Sequence, residues 1–203
     1  ADFMQSALYD PEHGYYSSGK ARIGGHGDFF TAVSVGPLFG TLLARQFLQM
    51  WSRLGRPSAW SLVEQGAFDG QLAKDILHAL RQLDPTCFEA TNLHLVEPFP
   101  VLENRQRENL MEFADKTSWH PSLEMLPQFT GIHYSNELLD AFPIHRVRRV
   151  GRAWQELRVT FQDGRFTETE TALEAPLLEN LLAPLTPREE GALVEVAPAH
   201  SAW

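Results

Sequence analysis

Trp60-Ser61-Leu62-Val63-Glu64-Gln65-Gly66-Ala67-Phe68-Asp69-Gly70 is the stretch whose reading decides the fold. Trp60–Glu64 is a short, mostly apolar run, as expected of a strand buried in a parallel sheet. Gly66 permits a tight turn, and Gly70 permits close approach to whatever follows. Leu72, Ile76, Leu77, Leu80 and Leu83 then recur at helical spacing, and the helix is expected to end at Asp84-Pro85. Strand, glycine turn and helix N-terminus together bring a ligand close to backbone in α/β folds. The spacing is neither Gly-x-Gly-x-x-Gly nor a phosphate loop ending in Gly-Lys-Ser/Thr. Alone it is equally an ordinary strand-to-helix turn.

Working outward, the same rhythm repeats. Asn92–Glu97 reads as a second strand, and a polar helix is expected over about Val101–Phe113. Thr117–His120 and Gly131–Ser135 read as third and fourth strands. This order marks a doubly wound α/β sheet. Upstream, Val35–Leu54 has one wide apolar face, closed by Gly55 and Pro57. Before it, Tyr9–Asp28 is punctuated by glycines and reads as loop, after a short helical turn at Phe3–Leu8. Downstream of Pro143 the pattern becomes β-rich: Ile144–Val150, Trp154–Gln162 and Arg165–Thr171, joined by Gly151-Arg152 and Asp163-Gly164. Asp-Gly is a strong hairpin signal, so an antiparallel insertion is expected here. A stretch spaced by Pro176, Pro184 and Pro187 precedes one more strand at Ala192–Val196.

Composition bounds the function. The chain has 203 residues, 43% hydrophobic and 21% charged, which excludes wholesale disorder and fibrous classes. Its formal charge of −9 disfavours bulk nucleic-acid binding. Cys87 is the single cysteine, which points to a reducing compartment, and it lacks a neighbouring basic activator. No apolar run is long enough for a membrane helix. The eight histidines show no metal-ligand spacing, so no metal is expected. The basic residues His145, Arg146, Arg148, Arg149, Arg152 and Arg158 read as a solvated hairpin face, with a partner-docking patch as the alternative.

Ligands of open α/β sheets bind at the carboxyl ends of the strands. Glu97 stands there after the second strand, where an acid can accept hydrogen bonds from both ribose hydroxyls. A solvated strand-end carboxylate is the plain alternative. Asn136, Glu137 and Asp140 follow the fourth strand, either facing the same crevice or capping a helix. Asp28 and Thr31, in Gly27-Asp28-Phe29-Phe30-Thr31, could close over a ligand from the N-terminal side, unless Phe29 and Phe30 only pin the loop.

Several strings resemble one family. They are Phe3-Met4, Ala7-Leu8-Tyr9-Asp10-Pro11, Gly14-Tyr15-Tyr16, Gly27–Ala32, Glu64-x-Gly66, Val96-Glu97, Gln106, Asn136-Glu137-x-x-Asp140-Ala141-x-Pro143 and Val194-Glu195-Val196-x-Pro198-Ala199. Together they resemble the MidA-like class I S-adenosylmethionine-dependent methyltransferases, relatives of a mitochondrial complex I assembly factor that dimethylates an arginine. The resemblance implies a partial Rossmann-like sheet with an N-terminal helical and loop cap and an antiparallel β insertion. Its expected divisions are a cap over 1–58, a cofactor-binding core over 59–143, the insertion over 144–191 and the start of the second half of the core over 192–203. It implies S-adenosylmethionine as cofactor, with Gly66 and Gly70 at its methionine part, Glu97 at its ribose, Glu64, Ala67 and Asp69 among the cofactor-binding residues, and Asp28 and Thr31 nearby. It implies Asn136 and Glu137 at the methyl-transfer site, with Asp140 in support. The implied partner is a protein with a basic, arginine-bearing segment, with neither nucleic acid nor membrane involved. The location would be cytoplasmic in a bacterium and mitochondrial in a eukaryote.

The family turn usually reads Glu-x-Gly-x-Gly-x-Gly, and here Phe68 stands at its middle glycine. If the backbone needs φ > 0 there, a side chain is strained, and a non-catalytic binding or assembly relative becomes the alternative. Otherwise Phe68 points away and Asp69 takes a cofactor contact. The resemblance also makes 203 residues a fragment's length, stopping at Trp203 in or before a helix that would lead to the next core strand.

Overall fold

Strand β1 (Trp60–Gln65) is the axis of a four-stranded parallel sheet. A computed structural model describes residues 1–25, 27–174, 176–185 and 189–198. They fall into two compact units. One spans Tyr15–Leu138, and the other joins Ala1–Gly14 to the segment from Leu139 onward.

In the first unit, α2 (Leu38–Arg53) follows α1 (Asp2–Tyr9, of the other unit), and α3 (Gln71–Leu83) follows β1. Next come α4 (Pro85–Ala90), β2 (Thr91–Val96), α5 (Pro100–Asn109), β3 (Thr117–His120) and β4 (Gly131–Ser135). The sheet order is β3-β2-β1-β4, all parallel. Register explains which face is the core. Leu62 lies beside Leu93 and Ile132, and Glu64 beside Leu95 and Tyr134. Leu62, Leu93 and Leu95 join Phe47 and Trp51 of α2 and Ile76, Leu77 and Leu80 of α3 in one buried cluster. The alternate residues face the other way. There Ser61 Oγ lies 3.3 Å from His94 Nε2, and His94 Nδ1 lies 3.0 Å from His120 Nε2. Gly40 sets the approach of α2 to α3, because a Cβ on it would come within 2.5 Å of the Asp75 Cβ.

Three boundaries differ from expectation. Asp84-Pro85 opens a helix as well as closing one. The Asp84 carboxylate accepts the Cys87 N–H at 3.0 Å and Pro85 takes the first helical position, so the pair caps α4. The polar helix ends at Asn109, and a 3₁₀ turn over Met111–Lys116 replaces its tail. The apolar helix starts at Leu38, since Ala32–Val35 form a separate 3₁₀ turn before Gly36.

The second unit holds β5 (His145–Val150), β6 (Ala153–Gln162), β7 (Arg165–Ala172), α6 (Pro176–Leu182) and β8 (Leu193–Val196). Its antiparallel sheet runs β7-β6-β5-β8. Asp163 and Gly164 both have positive φ (+50° and +77°), as the tight hairpin they predict requires. The basic residues of β5 and β6 are answered locally. Arg146 pairs with Glu168 and Arg148 with Glu170, while Glu156 pairs with His145 at 2.6 Å and Arg158 at 2.9 Å.

The 192–203 segment was expected to open the second half of the core. Its described strand, Leu193–Val196, pairs with β5 in the antiparallel sheet, where Val194 and Val196 continue the half-buried alternation. Pro187, Ala199 of the last resembling string, and the expected stop at Trp203 lie outside the described residues.

Candidate functional site

The turn after β1 winds through the left-handed region three times. Positive φ recurs at Gly66 (+73°), Phe68 (+52°) and Gly70 (+79°). Gly66 is exposed, and a Cβ there would meet Leu138 Cδ1 at 2.7 Å. Ala67 is buried, and its carbonyl accepts the Gly70 N–H at 2.8 Å. Asp69 Oδ1 accepts the Gln71 N–H at 3.0 Å, an Asx-turn just ahead of α3. The backbone at residue 68 therefore does need φ > 0, and Phe68 supplies it with its side chain half-buried. A non-glycine residue held there carries about 1–2 kcal/mol of strain.

Glu97 follows the last residue of β2 and is 4% exposed. Its Oε1 accepts the Phe99 N–H at 3.0 Å and its Oε2 accepts from Gln106 Nε2 at 2.9 Å. Burial pushes this carboxyl up to about 7, against the pull of those two donors. Each oxygen has a lone pair left for a further donor. Glu64 is different. It is 2% exposed, on the core face of β1, and accepts from the Tyr134 hydroxyl at 3.1 Å. Burial, with the charge of Asp69 added, pushes it up to about 8, so it is mostly protonated at neutral pH. Glu64 therefore lies in the core beneath the turn, while Gly66 is at the surface.

The end of β4 completes the group. Ser135 lies beside Gln65 in register, and Asn136, Glu137 and Leu138 follow, with Leu138 against Gly66. Glu137 is exposed and has φ +53°, a conformation uncommon for a non-glycine residue. Asp140 lies in a 3₁₀ turn, Leu139–Ala141, that belongs to the other unit. Asp28 is exposed and accepts from the Tyr15 hydroxyl at 2.7 Å; Thr31 caps the Ala32–Val35 turn with Ser34. These contacts lie within their own loop. The structure thus brings together the Gly66–Gly70 turn, Glu97 and Asn136–Leu138.

Sequence reasoning gave no role to Gln106 and did not single out Tyr134. Gln106 is fully buried, and its Nε2 donates both to Glu97 and, at 3.1 Å, to the Phe68 carbonyl. The signal was available: Leu102, Gln106 and Leu110 recur every fourth residue, so the glutamine occupies the inward stripe of a polar helix.

A strained glycine-type turn leading into a 13-residue helix, with a buried acid at the end of the next strand, is the geometry by which α/β folds bring a ligand close to backbone. Comparison with known proteins identifies the family. Residues 42–203 match the family described as "Putative S-adenosyl-L-methionine-dependent methyltransferase". The chain belongs to that family. Among curated relatives, the chain is similar to the mitochondrial protein arginine methyltransferase NDUFAF7 of Danio rerio, 32% identical over 179 residues. It is 29% identical over 179 residues to the Drosophila melanogaster homologue. In both cases 78% of this chain is covered, and the chain spans about four-tenths of the relative, 42% and 40%. A crystal structure of a Burkholderia thailandensis protein bound to S-adenosyl-homocysteine matches with a TM-score of 0.83 and 32% identity. That match covers 99% of this chain and 52% of the other. The family's cofactor suits the residues present: an exposed glycine in the left-handed region, and a strand-end carboxylate with free acceptor capacity.

Proposed function

We propose that the protein transfers a methyl group from S-adenosylmethionine to a basic protein side chain, with arginine as the favoured acceptor. The observation that carries this reading is the convergence of the Gly66–Gly70 turn, Glu97 and the Asn136–Glu137 segment at the carboxyl ends of three adjacent parallel strands. The names of the curated relatives support the choice of arginine.

In this reading the cofactor, when bound, supplies an electrophilic methyl on a sulfonium. Gly66, Ala67, Asp69 and Gly70 hold its methionine part, with Glu64 beneath the turn. Glu97 accepts from the ribose hydroxyls. Asp28 and Thr31 bound the site from the N-terminal loop. In-line transfer depends chiefly on positioning, which fixed strand ends supply. A guanidinium stays protonated at neutral pH, so a carboxylate must hold it and receive its proton. Glu137 has the chemistry and the exposure for this role, with Asn136 beside it; Asp140 joins the assignment from the sequence alone. The net charge of −9 suits a basic peptide. Cys87 is buried and its thiol is pushed up to about 11 by burial, which suits a structural residue in a reducing compartment, bacterial cytoplasm or mitochondrion.

Calorimetry and mass spectrometry test the proposal. Glu97→Ala should weaken S-adenosylhomocysteine binding by about tenfold or more, since hydrogen bonds to a charged group contribute about 1.5–3 kcal/mol. Glu137→Ala should leave that binding intact and lower methyl transfer to arginine peptides at least a hundredfold, about the lower end of general-base contributions. An unchanged rate would remove Glu137 from the mechanism. Phe68 in a left-handed position favours a second reading, a catalytically inactive relative that serves as a binding or assembly factor. Tight binding with no methylated product across basic peptides and proteins would select it.

A further inference from the structure

We propose that Gln106 is a positioning residue that locks the turn after β1 and the Glu97 carboxylate into one arrangement for the cofactor. The inference rests on the methyltransferase reading and deepens it. Gln106 lies on α5 with no exposed surface, and its side chain makes three hydrogen bonds that all leave the helix. Nε2 donates to Glu97 Oε2 at 2.9 Å and to the Phe68 carbonyl at 3.1 Å. Oε1 accepts from Trp119 Nε1 on β3 at 3.1 Å. Two acceptors on one side and a donor on the other fix the amide orientation, because a flipped amide would oppose like with like.

This geometry does two things. It holds the carbonyl of Phe68, the one residue of the turn's three left-handed positions that is not glycine. It also fixes the plane of the Glu97 carboxylate, with the Phe99 N–H on its other oxygen, so that the remaining lone pairs have one direction. A bond given to the charged form also favours ionised Glu97 against its burial and the charge of Glu103 on α5. Packing alone would not need an amide here. A methionine has similar length and no polar group to satisfy.

The test uses the protein at its natural full length, with S-adenosylhomocysteine as the calorimetric probe between pH 6 and 9. The wild type should bind more tightly as Glu97 ionises. Gln106→Met should weaken binding about tenfold at pH 8. It should move the midpoint of the pH profile upward, and add less than twofold loss when Glu97 is already alanine. Equal loss at every pH with an unmoved midpoint, or a loss that adds fully to Glu97→Ala, would overturn the assignment in favour of a filler of space. If Gln106→Met fails to give a cooperative melt, Gln106→Glu decides. It keeps the acceptor for Trp119 but sets a second carboxyl against Glu97, so its midpoint should rise further. A midpoint matching wild type would overturn the proposal. A wild type that binds no S-adenosylhomocysteine at any pH would instead overturn the methyltransferase reading beneath it.

Discussion

Phe68 and Glu64 are neighbours of the same turn and carry opposite kinds of cost. At Phe68 the cost is backbone strain at φ +52°, offset by a half-buried ring and the Gln106 bond to its carbonyl. Glycine is ordinarily worse than alanine within structured chain by about 0.5–1 kcal/mol, but a left-handed position reverses that order. Phe68→Gly should therefore melt in urea at a higher midpoint than Phe68→Ala, and the usual order would contradict the strain. At Glu64 the cost is desolvation. Its folded carboxyl, at about 8 against an ordinary 4.5, keeps a proton that the unfolded chain has lost. Its contribution is complete below about pH 4.5 and is lost as pH rises through 8. Glu97 acts in the same direction, with its window closing near 7. Wild-type Tm should thus still fall between pH 7 and 8, and Glu64→Gln should be flat there. A parallel fall in both proteins would mean that Glu64 is ionised in the fold.

At the scale of elements, the sheet was legible because its strands are short apolar runs and its helices show one buried stripe. β3 and β4 begin and end where the sequence placed them. What escaped had a physical cause each time. Asp84-Pro85 is a stop signal and a start signal at once, since a proline that cannot continue one helix is well placed to open the next. Leu193–Val196 is the same alternating string in either sheet, and only pairing with β5 assigns it. At the site, Glu97 and the glycine turn were readable from position, whereas Gln106 and Tyr134 act through three-dimensional neighbours on other elements. Gly40 tests the packing of α2 on α3. Gly40→Val should cost about 1–3 kcal/mol in a urea melt, because its side chain overpacks against Asp75. An unchanged midpoint would show that the helices are free to separate.

At the scale of the molecule, a charge of −9 and an acid exposed after β4 suit a cationic acceptor. Exposed charge attraction is screened over about 8–10 Å at ordinary ionic strength. The KM for an arginine-bearing peptide should then rise with salt while kcat holds, and a salt-independent KM would argue against electrostatic recruitment. The chain spans about half of the solved structure it matches and about four-tenths of its curated relatives, so activity belongs to the protein at natural length. On the proposed reading, the turn after β1 and Glu97 hold an adenosine-bearing methyl donor. Calorimetric titration of that protein with S-adenosylhomocysteine, beside its Glu97→Ala variant, tests it most directly. The account predicts saturable one-to-one binding that weakens about tenfold or more in the variant. Absence of binding to the folded wild type, or equal affinity in the two proteins, would contradict it.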